Sequence, residues 1–540
     1  MHFRTPGFAN RVRYRISTMV TNSPILPSAV RRPGALPTLR FTFIAFPIIA
    51  ALSLIWVFAS PLMSVPDEPA HTIKAAAVAR GELSGTSTGE QGEQTIVIVP
   101  RYIAMIGAQG CFAAKADTTP KCAPPIDATA RDLVQAQTSA GNYNPMYYAM
   151  VGLPSRVMGG EAAVYLMRVI SALICSAFLA ATIGAAASMR RRFWPTASCL
   201  VSITPMVLFL NGSINPNALE VVTTSALFLN LCVVLENYRN LKTVRTSIVF
   251  VGISGAVLAN TRALSLLWLA LAVVAAVLIF GLKPMLAVVK SRLGLSMTAL
   301  IGLGCAASLA WLVTANSFSS LTGTPSAVTP DQAFVTMLDR SFDYASGYVG
   351  IMGWLDTGAP PAVYAFWYFA FAAIIIGGLT ARPLRARPVV WVLLIAVLIL
   401  PPILQAQVIQ QIGYIWQGRY LLALFVLLLL ACGVAMRMRP TPRGPWARSL
   451  SLWLFAGAVG VHVYLFVFVL RRYTIGLQSH TNWTEMFDPL WQPPLSWQGL
   501  TVAYLLALVG GAIVTHRALF PREALSRRNV EQSEADLAVA

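Results

Sequence analysis

Charge is scarce in this sequence. Only 11% of its 540 residues are Asp, Glu, Lys or Arg, where a soluble domain carries about a quarter, so a large water-soluble enzyme is excluded. Acid is scarcest, with 21 acidic against 40 basic residues. There are five histidines, and only His71 lies beside carboxylates. There are seven cysteines, and Cys175, Cys199, Cys232, Cys305 and Cys432 sit in apolar runs as small hydrophobes. The two-residue alternation of a membrane β-barrel is missing. What is abundant is apolar: 56% of the chain is hydrophobic and the mean hydropathy is +0.65. That content excludes a disordered chain.

The apolar residues fall in twelve runs, near 41–63, 162–188, 194–210, 217–235, 246–260, 263–281, 295–315, 361–380, 389–407, 420–436, 449–470 and 499–515. Runs of about 20 apolar residues predict helices across a bilayer, since lipid leaves backbone groups no other partners. The runs near 194–210 and 246–260 are short. With both termini in the cytoplasm, the inner side receives 27 of the 40 basic residues and five of the 21 acids. The formal charge of +19 is therefore a positive-inside signal and needs no nucleic acid to explain it. Arg31-Arg32 reads as flanking charge, not as a twin-arginine signal.

The expected organisation is all-α and polytopic, with about 12 transmembrane helices. Residues 1–40 form a basic cytoplasmic tail. Residues 41–315 form an N-terminal transmembrane catalytic module that includes the outer loop 64–161. An outer loop follows over 316–360, then a C-terminal transmembrane module over 361–515 and a cytoplasmic tail over 516–540. The inner loops are short, basic and without a Gly-rich ATP motif. That places the chemistry outside and disfavours a nucleotide-driven pump or an enzyme using a cytosolic nucleotide sugar.

The first outer loop opens on Pro66-Asp67-Glu68-Pro69. Carboxylates at a membrane boundary are costly without a function or a partner. One of them could take a proton from an acceptor hydroxyl; capping of the following helix is the plainer reading. Residues 70–83 suit a helix on the membrane surface, with Lys74, Arg80 and Glu82 on its polar side. Asp67, Glu68 and His71 could together hold a divalent ion, but they match no established ligand spacing, and a helix-surface role for His71 is the weightier reading. Asn144-Pro145-Met146-Tyr147-Tyr148 reads as an interfacial or re-entrant segment. Asn215, Asn217 and Glu220 form a polar pocket floor between two spans. The scarce outer arginines Arg168, Arg262, Arg340 and Arg419 are candidates for a phosphate, which guanidinium binds through paired donors. Snorkelling to headgroups is the alternative for each. Trp354, Asp356, Gln417 and Tyr420 offer the rings and polar groups a sugar requires. Cys111 and Cys122 fall in the first outer loop, where a disulfide is the expected form and a metal pair the weaker one.

Four motifs occur in order: the acidic pair after the first span, Asn-Pro with paired tyrosines before the second, Gly353-Trp354-Leu355-Asp356-Thr357, and Gly418-Arg419-Tyr420. Together they resemble the bacterial membrane proteins grouped as domain-of-unknown-function family 2142, over roughly residues 41–515. That family is similar in layout to GT-C glycosyltransferases, including protein O-mannosyltransferases and lipid A aminoarabinose transferases. The resemblance implies a long first outer loop carrying surface helices. It implies a polyprenyl-phosphate sugar donor and inverting transfer to an envelope glycan, lipid or protein. Asp67 would be the base and Glu68 would support acceptor or donor. No second acidic motif aligns, which leaves the donor sugar and any metal open. A transporter or flippase of a lipid-linked precursor is the alternative, and a non-catalytic scaffold the third reading. The expected location is the bacterial plasma membrane.

Overall fold

The computed structural model describes residues 37–87, 94–315, 323–382, 384–478, 480 and 482–521. Most of both terminal tails and residues 316–322 of the second long loop lie outside the described residues. The chain is a mostly helical membrane protein, with two small two-stranded sheets among the described residues. Among the described residues, ten helices are long and apolar enough to cross a bilayer, or up to twelve if two bent pairs each count as a span.

The first span, α1, is Pro37–Ala59. It packs along α3, Gly160–Ser188, which packs in turn on α4, Pro216–Glu236. Nearly every residue of α4 is buried, as is every residue of Leu422–Ala435. These two are buried on all sides, as helices at the centre of a bundle are. Other spans, such as Arg292–Thr314 and Trp497–Leu519, bury only a narrow stripe and turn their remaining apolar surface outward.

Two of the twelve apolar runs are not straight. The 194–210 run breaks into Phe193–Ser202 and Pro205–Asn211, bent by 64°. Pro205 cannot donate to the preceding turn, and the Thr204 hydroxyl accepts from Val207 N (3.4 Å) to start the second piece. The 263–281 run is helical over Ser265–Phe280 and then turns by 116° into Leu282–Val289. Gly281 stands at the corner with φ 97°, a conformation that side chains oppose.

The segment after the first span departs from the expected surface helix. Helix α2, Glu68–Val78, buries His71, Thr72, Ile73 and Lys74 together with Ala75, Ala76 and Ala77. The antiparallel strands Thr95–Pro100 and Leu133–Thr138 pack over it. Lys74 is fully buried because its ammonium donates to two loop carbonyls, Leu83 O (2.6 Å) and Gly141 O (2.5 Å). Its pKa falls to about 7, chiefly through burial. The short helix Met146–Val151 buries Tyr147 and Tyr148 and leaves Met150 and the following Leu153 exposed.

Candidate functional site

The corner is built by Pro66-Asp67-Glu68-Pro69. Pro69 fixes the first turn of α2, where a missing N–H is harmless. Asp67 precedes the helix in the left-handed region, φ 68°, which Asp tolerates better than most residues. Its carboxylate occupies the N-cap position without capping. The two acids then part: Glu68 turns into the bundle and Asp67 faces the Gly418–Leu421 turn.

Glu68 is fully buried against Arg168 of α3. Arg168 Nε donates to Oε1 (2.7 Å) and Nη2 to Oε2 (2.6 Å). Its other donors reach Val57 O, Ser60 O and Pro61 O, at 3.2, 2.7 and 2.8 Å. Glu68 Oε1 also accepts from Ile214 N (3.1 Å). All five N–H donors of the guanidinium are thus engaged by protein. Arg168, expected at the donor phosphate, has no donor left for one here, because it ties the end of α1 to α2 and α3. Glu68, expected beside the substrate, is enclosed by the same clamp. The Asp67, Glu68 and His71 trio does not converge, and among the described residues no group of three His, Cys, Asp or Glu side chains gathers to hold a metal.

Asp67 is different. Its Oδ2 lies 2.5 Å from Arg419 Nη2, with the carboxylate side chain 43% exposed and the arginine 3% exposed. Arg419 also lies over the Tyr420 ring (5.2 Å), and Arg262 approaches the same ring at 5.2 Å. Arg262 donates to Asn217 Oδ1 and stands 3.9 Å from Glu220 Oε2. Glu220 Oε1 accepts from Ser265 (2.7 Å). The structure therefore brings Asp67, Arg419, Tyr420, Arg262, Asn217 and Glu220 into one polar chain across four elements.

Beneath it, His71 Nδ1 and the Tyr148 hydroxyl are 2.9 Å apart, and the Tyr143 ring flanks both His71 (5.8 Å) and Arg262 (5.9 Å). Burial pushes His71 down to about 3; Asp67 opposes this, while Arg262 and Arg419 add to it. Burial raises the Tyr148 phenol. The imidazole is neutral at physiological pH and serves as a hydrogen-bonding wall of the site. Unfolded, it titrates near 6.5. Between about 3 and 6.5 the unfolded chain binds a proton that the folded chain does not. Its contribution to stability is complete above about 6.5 and is lost as pH falls below it, by at most about 1.4 kcal/mol per pH unit. Thermal unfolding in detergent between pH 7 and 4 should show that slope, and His71→Asn should flatten it.

A cavity of about 210 Å³ opens beside the Asp67–Arg419 pair. Its lining is mixed: Val65, Met206, Phe209 and Leu355 are apolar, and Asp343, Tyr344, Gln417 and Arg419 are polar. Trp416, Gln417 and Arg419 line it, and Trp416 Nε1, Gln417 Oε1 and Arg419 Nε are buried without a partner among the described residues. Buried polar atoms are rarely left so, and an amphipathic ligand with hydroxyls and an anionic group would satisfy them.

The remaining expected residues are positioned around this centre. Asn144 Nδ2 donates to Asn260 Oδ1 (2.9 Å), and Tyr147 meets Ser171 (2.8 Å). Asn215 caps α4 through Asn217 N (3.0 Å). Trp354 Nε1 donates to Met63 O (2.8 Å). Asp356, expected at a sugar, pairs with buried Arg472 (2.9 Å) instead. Arg340 is exposed at the end of Pro330–Asp339 and interacts with Tyr344, which lines the cavity. Tyr143, Lys74 and Arg472 carry roles that the sequence reading did not assign. Tyr143 adjoins Asn144 in a motif already singled out, which was the available signal.

Arg472 binds more than Asp356. It donates to Thr118 O (2.6 Å), Phe112 O (3.0 Å) and Lys115 O (2.8 Å). These carbonyls lie in the loop closed by the Cys111–Cys122 disulfide. Gly353 and Leu355, beside Asp356, line the cavity. Replacing both cysteines by Ser should therefore lower stability by about 2–4 kcal/mol, read as the shift between thermal unfolding curves of the variant and the wild type.

The family model described as "Predicted membrane protein (DUF2142)" matches residues 51–428, and the chain belongs to that family. No curated protein matches it. Among solved structures, the chain is similar to ArnT from Cupriavidus metallidurans bound to undecaprenyl phosphate, with a TM-score of 0.43 and 9% identity, over 90% of this chain and 78% of that one.

Proposed function

We propose that this family member is an integral membrane glycosyltransferase of the GT-C type. It moves a sugar from a polyprenyl-phosphate donor to an envelope glycan, lipid or protein on the extracytoplasmic face. One observation carries the reading: a half-exposed carboxylate, Asp67, paired with a buried arginine that lines a cavity of mixed apolar and polar residues. The lipid end of the donor suits the apolar lining residues. Its phosphate suits Arg419, with Arg262 as the second cation. Asp67 takes the proton of the acceptor hydroxyl. The hydroxyl oxygen forms the new bond to the anomeric carbon, the bond to the phosphate oxygen breaks, and the lipid phosphate leaves as an anion stabilised by guanidinium. The charge asymmetry of the loops supports an outward-facing site in a bacterial plasma membrane.

A strain lacking the protein should accumulate a polyprenyl-phosphate sugar, identified by mass spectrometry of its lipid extract. Unchanged lipid-linked sugars, with an unchanged envelope, contradict the proposal. The break at Pro205 favours a second reading, transport of a lipid-linked precursor, because transporters use discontinuous helices at their sites. Substrate-dependent flux in vesicles without sugar transfer would select it.

A further inference from the structure

Arg419 is held by only part of its capacity. Nη2 binds Asp67, while Nε is buried without a partner among the described residues, in a residue that lines the cavity. We propose that Asp67 is a stand-in for the ligand: a lipid phosphate entering the cavity takes Arg419 by exchange, and the exchange releases the Asp67 carboxylate for its own task. This rests on the proposed function, which brings a lipid phosphate to Arg419, and adds the order in which the site is assembled.

The asymmetry of burial decides which partner moves. Arg419 is 3% exposed and Asp67 43%. A buried guanidinium without an anion is unfavourable, so Arg419 keeps Asp67 until another anion replaces it. A carboxylate at the rim can instead be taken up by water. A phosphodiester bears one negative charge, so the exchange of one anion for the other leaves the net charge around Arg419 unchanged. It also gives the guanidinium more, since the phosphate oxygens can use the free Nε as well as Nη2, in the paired geometry that arginine favours. Asp67 does not need its partner to hold its place. Its backbone is fixed between Pro66 and Pro69, and its carbonyl accepts from His71 N (3.0 Å), so only the side chain has to turn. The site therefore fills in order: donor first, then a free base, then acceptor. Without donor the base stays neutralised, which suppresses wasteful activation of water.

The test measures binding of a long polyprenyl phosphate to the full-length protein in detergent or nanodiscs. Polyprenol of the same length is the control, and size-exclusion profiles establish that each variant is folded. Asp67→Asn and Asp67→Ser remove the competing anion and should bind the polyprenyl phosphate about three- to tenfold more tightly than wild type. Arg419→Gln should bind it about tenfold or more weakly. Polyprenol should show neither change. If wild type binds the lipid phosphate and neither Asp67 variant gains affinity, the exchange is wrong while the proposed function stands. A gain shared equally by polyprenol also overturns it. If wild type does not bind the lipid phosphate at all, the exchange and the proposed function fall together.

Discussion

Asp67→Asn should lower sugar transfer by about 10²–10⁴-fold, the usual contribution of a positioned base, and leave the protein folded. The change keeps the shape of the side chain and removes its basicity. Asp67 is half-exposed but Arg419 is buried, so losing the ion pair also costs some stability, and size-exclusion profiles must show the variant folded before its turnover is read. Arg419 then loses its anion in the empty state and keeps its place over Tyr420. Lipid phosphate should bind the variant well while transfer fails, a split between binding and turnover that a misfolded variant would not produce. Retention of wild-type turnover by folded Asp67→Asn removes Asp67 from the chemistry.

The adjacent residue should behave in the opposite way. Glu68→Gln or Arg168→Met is expected to destabilise the protein by about 3–5 kcal/mol, because each leaves an uncompensated buried charge. Glu68 and Arg168 are both fully buried, so solvent cannot replace the missing partner. The double variant should recover only part of the loss. It removes the charge imbalance, but the carbonyls of Val57, Ser60 and Pro61 lose the donor they share. Thermal unfolding of the two single variants and the double variant reads this coupling directly. Neutral single variants with wild-type unfolding temperatures would remove the clamp from the account. Two neighbouring carboxylates thus have different settings: Glu68 holds the corner together, and Asp67, half-exposed beside Arg419, is the one proposed to react.

That difference was not legible in the sequence. Asp67 and Glu68 look alike on paper, and the partner of Glu68 lies a hundred positions away on another span, where nothing local points to it. The surface helix expected over 70–83 has the same origin. An amphipathic pattern with Lys74 fits a water-facing side, and only the fold reveals that two loop carbonyls solvate the ammonium inside the protein. The spans themselves were legible, because lipid demands long apolar runs. Their irregularities were half-legible: Pro205 and Gly281 mark the two bends, but a run of apolar residues hides a break. Arg419 stood out because a cation at the start of an apolar run needs a reason. Arg168 stood out on the same ground and proved to be structural, since a buried arginine can be satisfied by protein as readily as by a ligand. Asp356 misled in a similar way. Carboxylates near aromatic rings suit a sugar, yet this one is neutralised by Arg472, which is far away in sequence and close in the fold.

The most direct measurement is turnover by the purified protein in liposomes carrying a polyprenyl-phosphate sugar with a labelled sugar moiety, run beside Asp67→Asn. The account predicts that wild type releases polyprenyl phosphate in step with labelled product and that the variant releases neither above background. Labelled donor crossing the membrane intact, or equal product from the two proteins, would contradict it.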